Sequence, residues 1–308
     1  MPELPEVETI ARGVNARVSG DRIVEAWFGS HREPFKTPAG EQAKGLEGRT
    51  FIAVHRTGKH IVCELAKTGS AADAQWIVHL GMTGRLLVTT PEGPVAPHTH
   101  ARLRLESGRE IRFVDPRRFG RLEFRELRPV EGTRTAEATA DHKGASQTST
   151  GQKSAALKNA GAKNSAFEGA GAEPLTIGAE EFAALFRGRK LAIKAALLNQ
   201  TLLTGVGNIY ADESLFRAGI RPRRRAGRLT RAELERLRTA LNSVLEHAIQ
   251  LGGSSVSDYV DADGVRGFFQ LEHCVYLRTG QPCRVCQTPI RRILVGGRGT
   301  HYCPHCQG

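Results

Sequence analysis

Residues 131–172 read EGTRTAEATADHKGASQTSTGQKSAALKNAGAKNSAFEGAGA, and this stretch decides how the rest of the chain divides. Ala, Gly, Ser, Thr and Lys dominate it, and Leu157 and Phe167 are its only large apolar side chains. So little burial cannot offset the entropy of ordering the segment, and the composition predicts a disordered linker over 131–173. The 308 residues are thereby cut into two parts of domain size.

The two flanks carry different periodicities. Upstream, RTFIAVHRTG, KHIVCELA, QWIVHLG, GRLLVTT, THARLRLESG, REIRFVD and RLEFREL are short, partly alternating runs separated by Gly, Pro or Asp. They predict a β-sandwich or barrel, with a helix over EVETIARGVNARV, where Val7, Ile10, Val14 and Val18 recur at helical spacing. Downstream, GAEEFAALFRG, LAIKAALLNQ, IYADESLFRAG and TRAELERLRTALNSVLEHAIQL predict four helices. The last opens on Thr230 and Glu233 in capping-box spacing and carries a stripe of Leu234, Leu237, Leu241, Val244, Leu245 and Ile249.

Net charge is +12, from 44 Lys and Arg against 32 Asp and Glu. It is +4 on residues 1–128, zero on 129–173 and +8 on 174–308. Such a balance points to a polyanionic partner. No run of 18 apolar residues and no basic, apolar leader is present, so neither a membrane span nor secretion is expected. Four of the six cysteines form the pairs Cys283-x-x-Cys286 and Cys303-x-x-Cys306. Two thiolate pairs at this spacing supply the four tetrahedral ligands of one structural zinc ion, with no open position for catalysis. Between them, a β-hairpin turning at Gly296-Gly297 carries Arg291, Arg292 and Arg298. Cys63 and Cys274 have no such partner. The chain starts Met1-Pro2-Glu3, and removal of Met1 would leave a secondary amine that is partly unprotonated at neutral pH.

Four motifs in order, MPELPEVE at 1–8, DPRRFG at 115–120, GVGNIYADE at 205–213 and the terminal cysteine pairs, resemble the formamidopyrimidine-DNA glycosylase family. The resemblance covers about residues 1–128 and 174–308. It implies a multidomain α+β fold: an N-terminal β-sandwich with a flanking helix (1–130), a helix–two-turn–helix domain (174–262), and a lesion-loop region with a four-cysteine zinc-finger hairpin (263–308). It also implies a base-excision repair enzyme, a hydrolase of N-glycosyl bonds and a lyase. Such an enzyme removes 8-oxoguanine and formamidopyrimidines from duplex DNA, then cuts the abasic strand by β,δ-elimination. The partner is damaged double-stranded DNA, bent in a cleft between two domains; the chain is expected to act as a monomer, in the cytoplasm at the bacterial nucleoid, with no redox or nucleotide cofactor.

By position, Pro2 matches the Schiff-base nucleophile, Glu3 the acid beside it and Glu6 a supporting carboxylate. Lys59 matches a lysine assigned to proton transfer and phosphate contact, and Arg298 a finger arginine assigned to phosphate contact and δ-elimination. Base flipping leaves a gap in the duplex, and Met82, Arg117 and Phe119 match the trio that fills it. His98 and Asn208 are expected at phosphates, the latter at a glycine-rich helix start. His79 is expected near DNA or as a satisfied strand histidine. Arg189, Lys190 and Lys194 are expected backbone contacts, and RPRRRAGR at 221–228 is either another or a solvated run. Leu277 stands where the family often has glycine. Met82, Arg117 and Phe119 set the chain apart from the endonuclease VIII-like class for oxidised pyrimidines. Pro2, Glu3, Lys59 and Arg298 together set it apart from a non-catalytic DNA-binding relative.

Overall fold

The computed structural model describes residues 1–30, 34–67, 71–127, 167, 170–256 and 259–308, and these form one compact unit apart from position 167. Most of the expected linker lies outside the described residues. Its last part does not behave as a linker: Ala172 bridges Leu203, and Glu173 is ion-paired to Arg56, so 170–173 belong to the folded unit.

Helix α1 (Leu4–Val18) has the predicted apolar spacing because Val7, Ile10, Val14 and Val18 are all fully buried. It lies on two four-stranded antiparallel sheets. One has the order β1 (Ile23–Phe28), β6 (Thr99–Leu105), β7 (Glu110–Val114), β5 (Arg85–Thr89). The other runs β2 (Thr50–Thr57), β3 (His60–Ala66), β4 (Ala74–His79), β8 (Arg121–Glu126). The sheets and α1 enclose one core, which includes Val54, Trp76, Leu103 and Phe113. Helix α2 (Ala39–Leu46) contributes Leu46 to it.

After residue 170 come α3 (Ala179–Phe186), α4 (Ile193–Leu197), α5 (Asn208–Arg217) and α6 (Arg231–Gln250). The Thr230–Glu233 capping box is formed, and five of the six stripe residues of α6 are buried, with Ile249 packed alongside. Each fully buried leucine there contributes roughly 1.5–3 kcal/mol of burial free energy. β9 (Arg291–Val295) and β10 (Arg298–Tyr302) make the finger hairpin. Both turn glycines, Gly296 and Gly297, have positive φ, as a two-residue hairpin turn of this hand requires.

The two cores exchange side chains. Leu4, from the start of α1, sits in the helical core, while Tyr259 and Ala262, from beyond α6, sit in the sandwich core. The amide of Val88 in β5 donates to Ala262 O at 2.9 Å. Among the described residues no helix is long and apolar enough to cross a membrane.

Candidate active site and nucleic-acid interface

The start of the chain is laid against the loop before α5, with Leu4 N donating to Gly205 O at 3.0 Å. This buries Pro2 and leaves Glu3 only 4% exposed. The Glu3 carboxylate accepts from Ile209 N at 3.1 Å and Tyr210 N at 3.4 Å. It therefore occupies the positive end of the α5 dipole. Gly207 makes the approach possible, since a Cβ there would fall 2.2 Å from the Glu3 carboxyl carbon. Burial nevertheless pushes the Glu3 carboxyl up to about 7, against the opposing pull of Lys59, with Glu6 adding to the rise. A carboxyl poised there can hold or release a proton at neutral pH.

Glu6 is the hub of this corner. Its Oε2 accepts from Glu3 N at 2.8 Å, and its Oε1 accepts from Ser254 N at 2.7 Å and from the Tyr210 hydroxyl. Burial raises its carboxyl too. Lys59 projects from the β2–β3 turn, where burial lowers its ammonium, Glu3 and Glu6 oppose that, and Arg298 adds to it. Pro2, Glu6 and Met82 line a cavity of about 40 Å³ with Met1, Ile209, Ser254, Val256 and Tyr259.

Met82 and Phe119 are not core residues: they are 43% and 49% exposed, and the Arg117 guanidinium lies 4.7 Å from the Phe119 ring centroid. Their two loops are pressed together, because a Cβ on Gly81 would lie 2.5 Å from Gly120 N. Asp115, fully buried, accepts from the Thr83 hydroxyl at 2.6 Å and from Gly120 N at 2.8 Å. Sequence reasoning took the motif DPRRFG as a whole and gave Asp115 no role; an acidic residue before Pro is the available signal for a loop-closing carboxylate. His98 is exposed, at φ +64°, on a concavity of about 450 Å³ shared with Trp27 and Arg118. His79 lies apart from these. Its Nδ1 accepts from Gly81 N at 3.2 Å, its ring packs on His60, and burial lowers it to about 4. It is thus a neutral strand histidine, beside Lys36, Arg121 and Glu123.

Helix α5 also anchors the finger. Asn208 Nδ2 donates to Gly299 O at 3.0 Å, so one of its amide hydrogens is engaged by the hairpin. Asp212, fully buried, accepts from His301 N at 2.8 Å and pairs with Lys194 Nζ at 2.7 Å. The expectation that Lys194 contacts DNA is corrected here. Its side chain is 0% exposed and its ammonium also donates to Gly299 O and the Thr300 hydroxyl, so it is spent on holding the finger. Glu213 accepts from the amides of Cys274, Val275 and Tyr276. Neither acid was singled out from the sequence, although two adjacent carboxylates on a largely apolar helix are a recognisable sign of buried pairing. Arg189, Lys190 and Arg298 are exposed. In the 221–228 loop Arg224 is paired with Glu233, whereas Arg221, Arg223, Arg225 and Arg228 face solvent. Leu277 has φ +59°, a left-handed conformation that glycine adopts without strain.

The Sγ atoms of Cys283, Cys286, Cys303 and Cys306 all lie within 4.8 Å of one another, with Cys283–Cys306 at 3.9 Å and Cys286–Cys303 at 3.4 Å. A tetrahedron with Zn–S near 2.3 Å has edges of about 3.8 Å. Amides of Val285 and Cys306 point at Cys283 and Cys303 sulfur, each at 3.4 Å, as outer partners of metal thiolates do. The four thiols fit one structural zinc ion.

Comparison with known proteins finds the same three parts of the chain. Residues 1–122 match the formamidopyrimidine-DNA glycosylase N-terminal domain, 170–260 its H2TH domain, and 280–308 the zinc finger found in FPG and IleRS. The formamidopyrimidine-DNA glycosylase of Solibacter usitatus is 42% identical over 100% of this chain and 99% of its own, and that of Thioalkalivibrio sulfidiphilus is 40% identical over the whole of both. Lactococcus lactis Fpg bound to DNA containing an abasic site superposes with a TM-score of 0.80 at 29% identity, covering 99% of each chain. MutM bound to carbocyclic 8-oxo-G DNA gives 0.79 at 30%. With all three segments matched in order and full-length relatives at this identity, the chain belongs to the formamidopyrimidine-DNA glycosylase family.

Proposed function

We infer that the protein is a base-excision repair glycosylase that removes oxidised purines from duplex DNA and cleaves the resulting abasic strand. The observation that carries the reading is the buried corner in which Pro2, Glu6 and Met82 line one cavity while Glu3, next to Pro2, and Glu6 lie within electrostatic reach of Lys59. Relatives support the substrate class: a mutant of the Lactococcus lactis enzyme has been captured on DNA containing Fapy-dG, and Lactococcus lactis Fpg on DNA with an abasic site.

In this reading Met1 is removed and the Pro2 nitrogen attacks C1′ of the damaged nucleotide. The C1′–base bond breaks, the base leaves with a proton, and an iminium joins Pro2 to the opened sugar once Glu3 has protonated the ring oxygen. Loss of a C2′ proton then expels the 3′ phosphate, and a second elimination expels the 5′ phosphate. Glu3 and Lys59 move protons, Glu6 holds the corner, and Arg298 contacts the phosphates. Met82, Arg117 and Phe119 fill the space of the flipped base. His98, Asn208, Arg189 and Lys190 contact the backbone, while His79 supports the Gly81 turn. Zinc stiffens the finger that carries Arg298 and takes no part in bond making. The protein works as a monomer, where the bacterial DNA is. Three functional parts, 1–130, 174–262 and 263–308, share this work, with residues 170–173 moved from the linker to the second.

Borohydride trapping on duplex DNA with 8-oxoguanine opposite cytosine tests the reading. Wild-type protein should form a covalent adduct that peptide mapping by mass spectrometry places on the Pro2 nitrogen; an adduct mapped to a lysine instead would remove the nucleophile assignment. One Lactococcus lactis complex holds oxidised-pyrimidine DNA. Faster cutting of thymine glycol than of 8-oxoguanine would therefore move the substrate class to pyrimidines.

A further inference from the structure

Arg56 stands at the end of β2, two residues before the turn glycine Gly58, and its side chain is 5% exposed. Its guanidinium makes four contacts. Nε meets Glu8 of α1 at 2.9 Å; Nη1 and Nη2 form a fork on Glu173 at 3.0 and 2.8 Å; and Nη1 also donates to Gly58 O at 3.0 Å. An arginine fork shared between a carboxylate and a turn carbonyl fixes direction as well as distance, which a lysine cannot do.

The contacts continue into a closed ring. Gly58, at φ +58°, rests on Thr204, with its Cβ position 3.3 Å from the Thr204 Cβ. Thr204 N donates to Ala172 O at 2.9 Å, beside Glu173, and the next residue, Gly205, accepts from Leu4 N. One side of the ring therefore ends on Lys59, and the other on Glu3. The ring joins β2, α1, the strap at 172–173 and the loop before α5.

We propose that Arg56 and Glu173 are positioning residues, whose ion pair fixes the β2–β3 turn and so holds Lys59 against Glu3 and the N-terminal proline. The inference rests on the function proposed above. The pair touches neither DNA nor a reacting atom. It acts by denying the turn the freedom that a glycine in the left-handed region otherwise gives it.

The test uses Glu173→Gln and Arg56→Lys in the full chain, with Ile111→Val in the sandwich core as a comparator of reduced thermal stability. Single-turnover cleavage of an abasic-site duplex is measured from pH 5.5 to 9, after wild-type cleavage and borohydride trapping have checked the underlying reading. At saturating DNA the rate should fall tenfold or more in both variants, while half-saturating DNA changes less than twofold. The limb of the profile that follows Lys59 should move to higher pH as the lysine regains water. Should Arg56→Lys fail to fold, Glu173→Gln carries the test alone. Wild-type rates in the variants, or a loss no larger than that of Ile111→Val with the limb unmoved, overturn the proposal while leaving the glycosylase reading intact.

Discussion

Glu3 carries an energetic cost that its role explains. A carboxyl held up at about 7 by burial favours the fold below its ordinary value of 4.5, and that contribution is lost as pH rises from there through 7. The full rise corresponds to about 3.4 kcal/mol at 1.36 kcal/mol per pH unit, of which about 2.5 kcal/mol falls between pH 5 and pH 8. Glu3→Gln keeps an acceptor for Ile209 N without the charge. Its stability relative to wild type should therefore improve by about that amount between pH 5 and pH 8 in urea unfolding, while cleavage is lost; an unchanged difference would refute the burial account. The motif told which carboxyl matters but not why it is poised, since desolvation comes from α5, some two hundred residues away. His79 shows the reverse case. Its position left open either a place near DNA or a satisfied strand histidine, and the hydrogen bond from Gly81 N to its Nδ1 fits the second.

At the scale of elements, α5 organises the site. In ten residues it offers two amides to Glu3, a phenol to Glu6, Asp212 to Lys194 and His301, and Glu213 to three amides at 274–276 just ahead of the finger. Asp212→Asn leaves the buried Lys194 ammonium without its countercharge and should cost about 3–5 kcal/mol by denaturant unfolding. Adding Lys194→Met should restore most of the loss; no restoration would mean that the pair is not its source. The alternating runs of the sandwich were legible because each strand has one core face. β1 was missed: Val24 and Glu25 both face out at a register shift, which breaks the alternation in IVEAWF. The helix read across LAIKAALLNQ shrinks to Ile193–Leu197, since Ala192 pairs with Arg225 and the Asn199 side chain turns the chain by accepting from Thr201 N. Lys194 reads as a DNA-backbone contact for a related reason: nothing local in the sequence announces an aspartate eighteen residues on as its partner.

For the molecule as a whole, charge and burial set different limits. The part after the linker carries +8, and phosphate neutralisation makes binding weaken steeply with salt. Replacing Arg189 and Lys190 together by Gln should flatten the slope of log K against log salt by about 1–2 in fluorescence titration, leaving the rate at saturating DNA unchanged. An unaltered slope would exclude both from the DNA interface. The exchange of Leu4 for Tyr259 and Ala262 has an outcome of another kind. Neither half can complete its interior alone. Fragments 1–130 and 169–308, produced as separate polypeptides, should each be aggregation-prone and should regain strand cleavage when co-expressed. The enzyme would then be a split reporter, whose signal records the meeting of its two pieces.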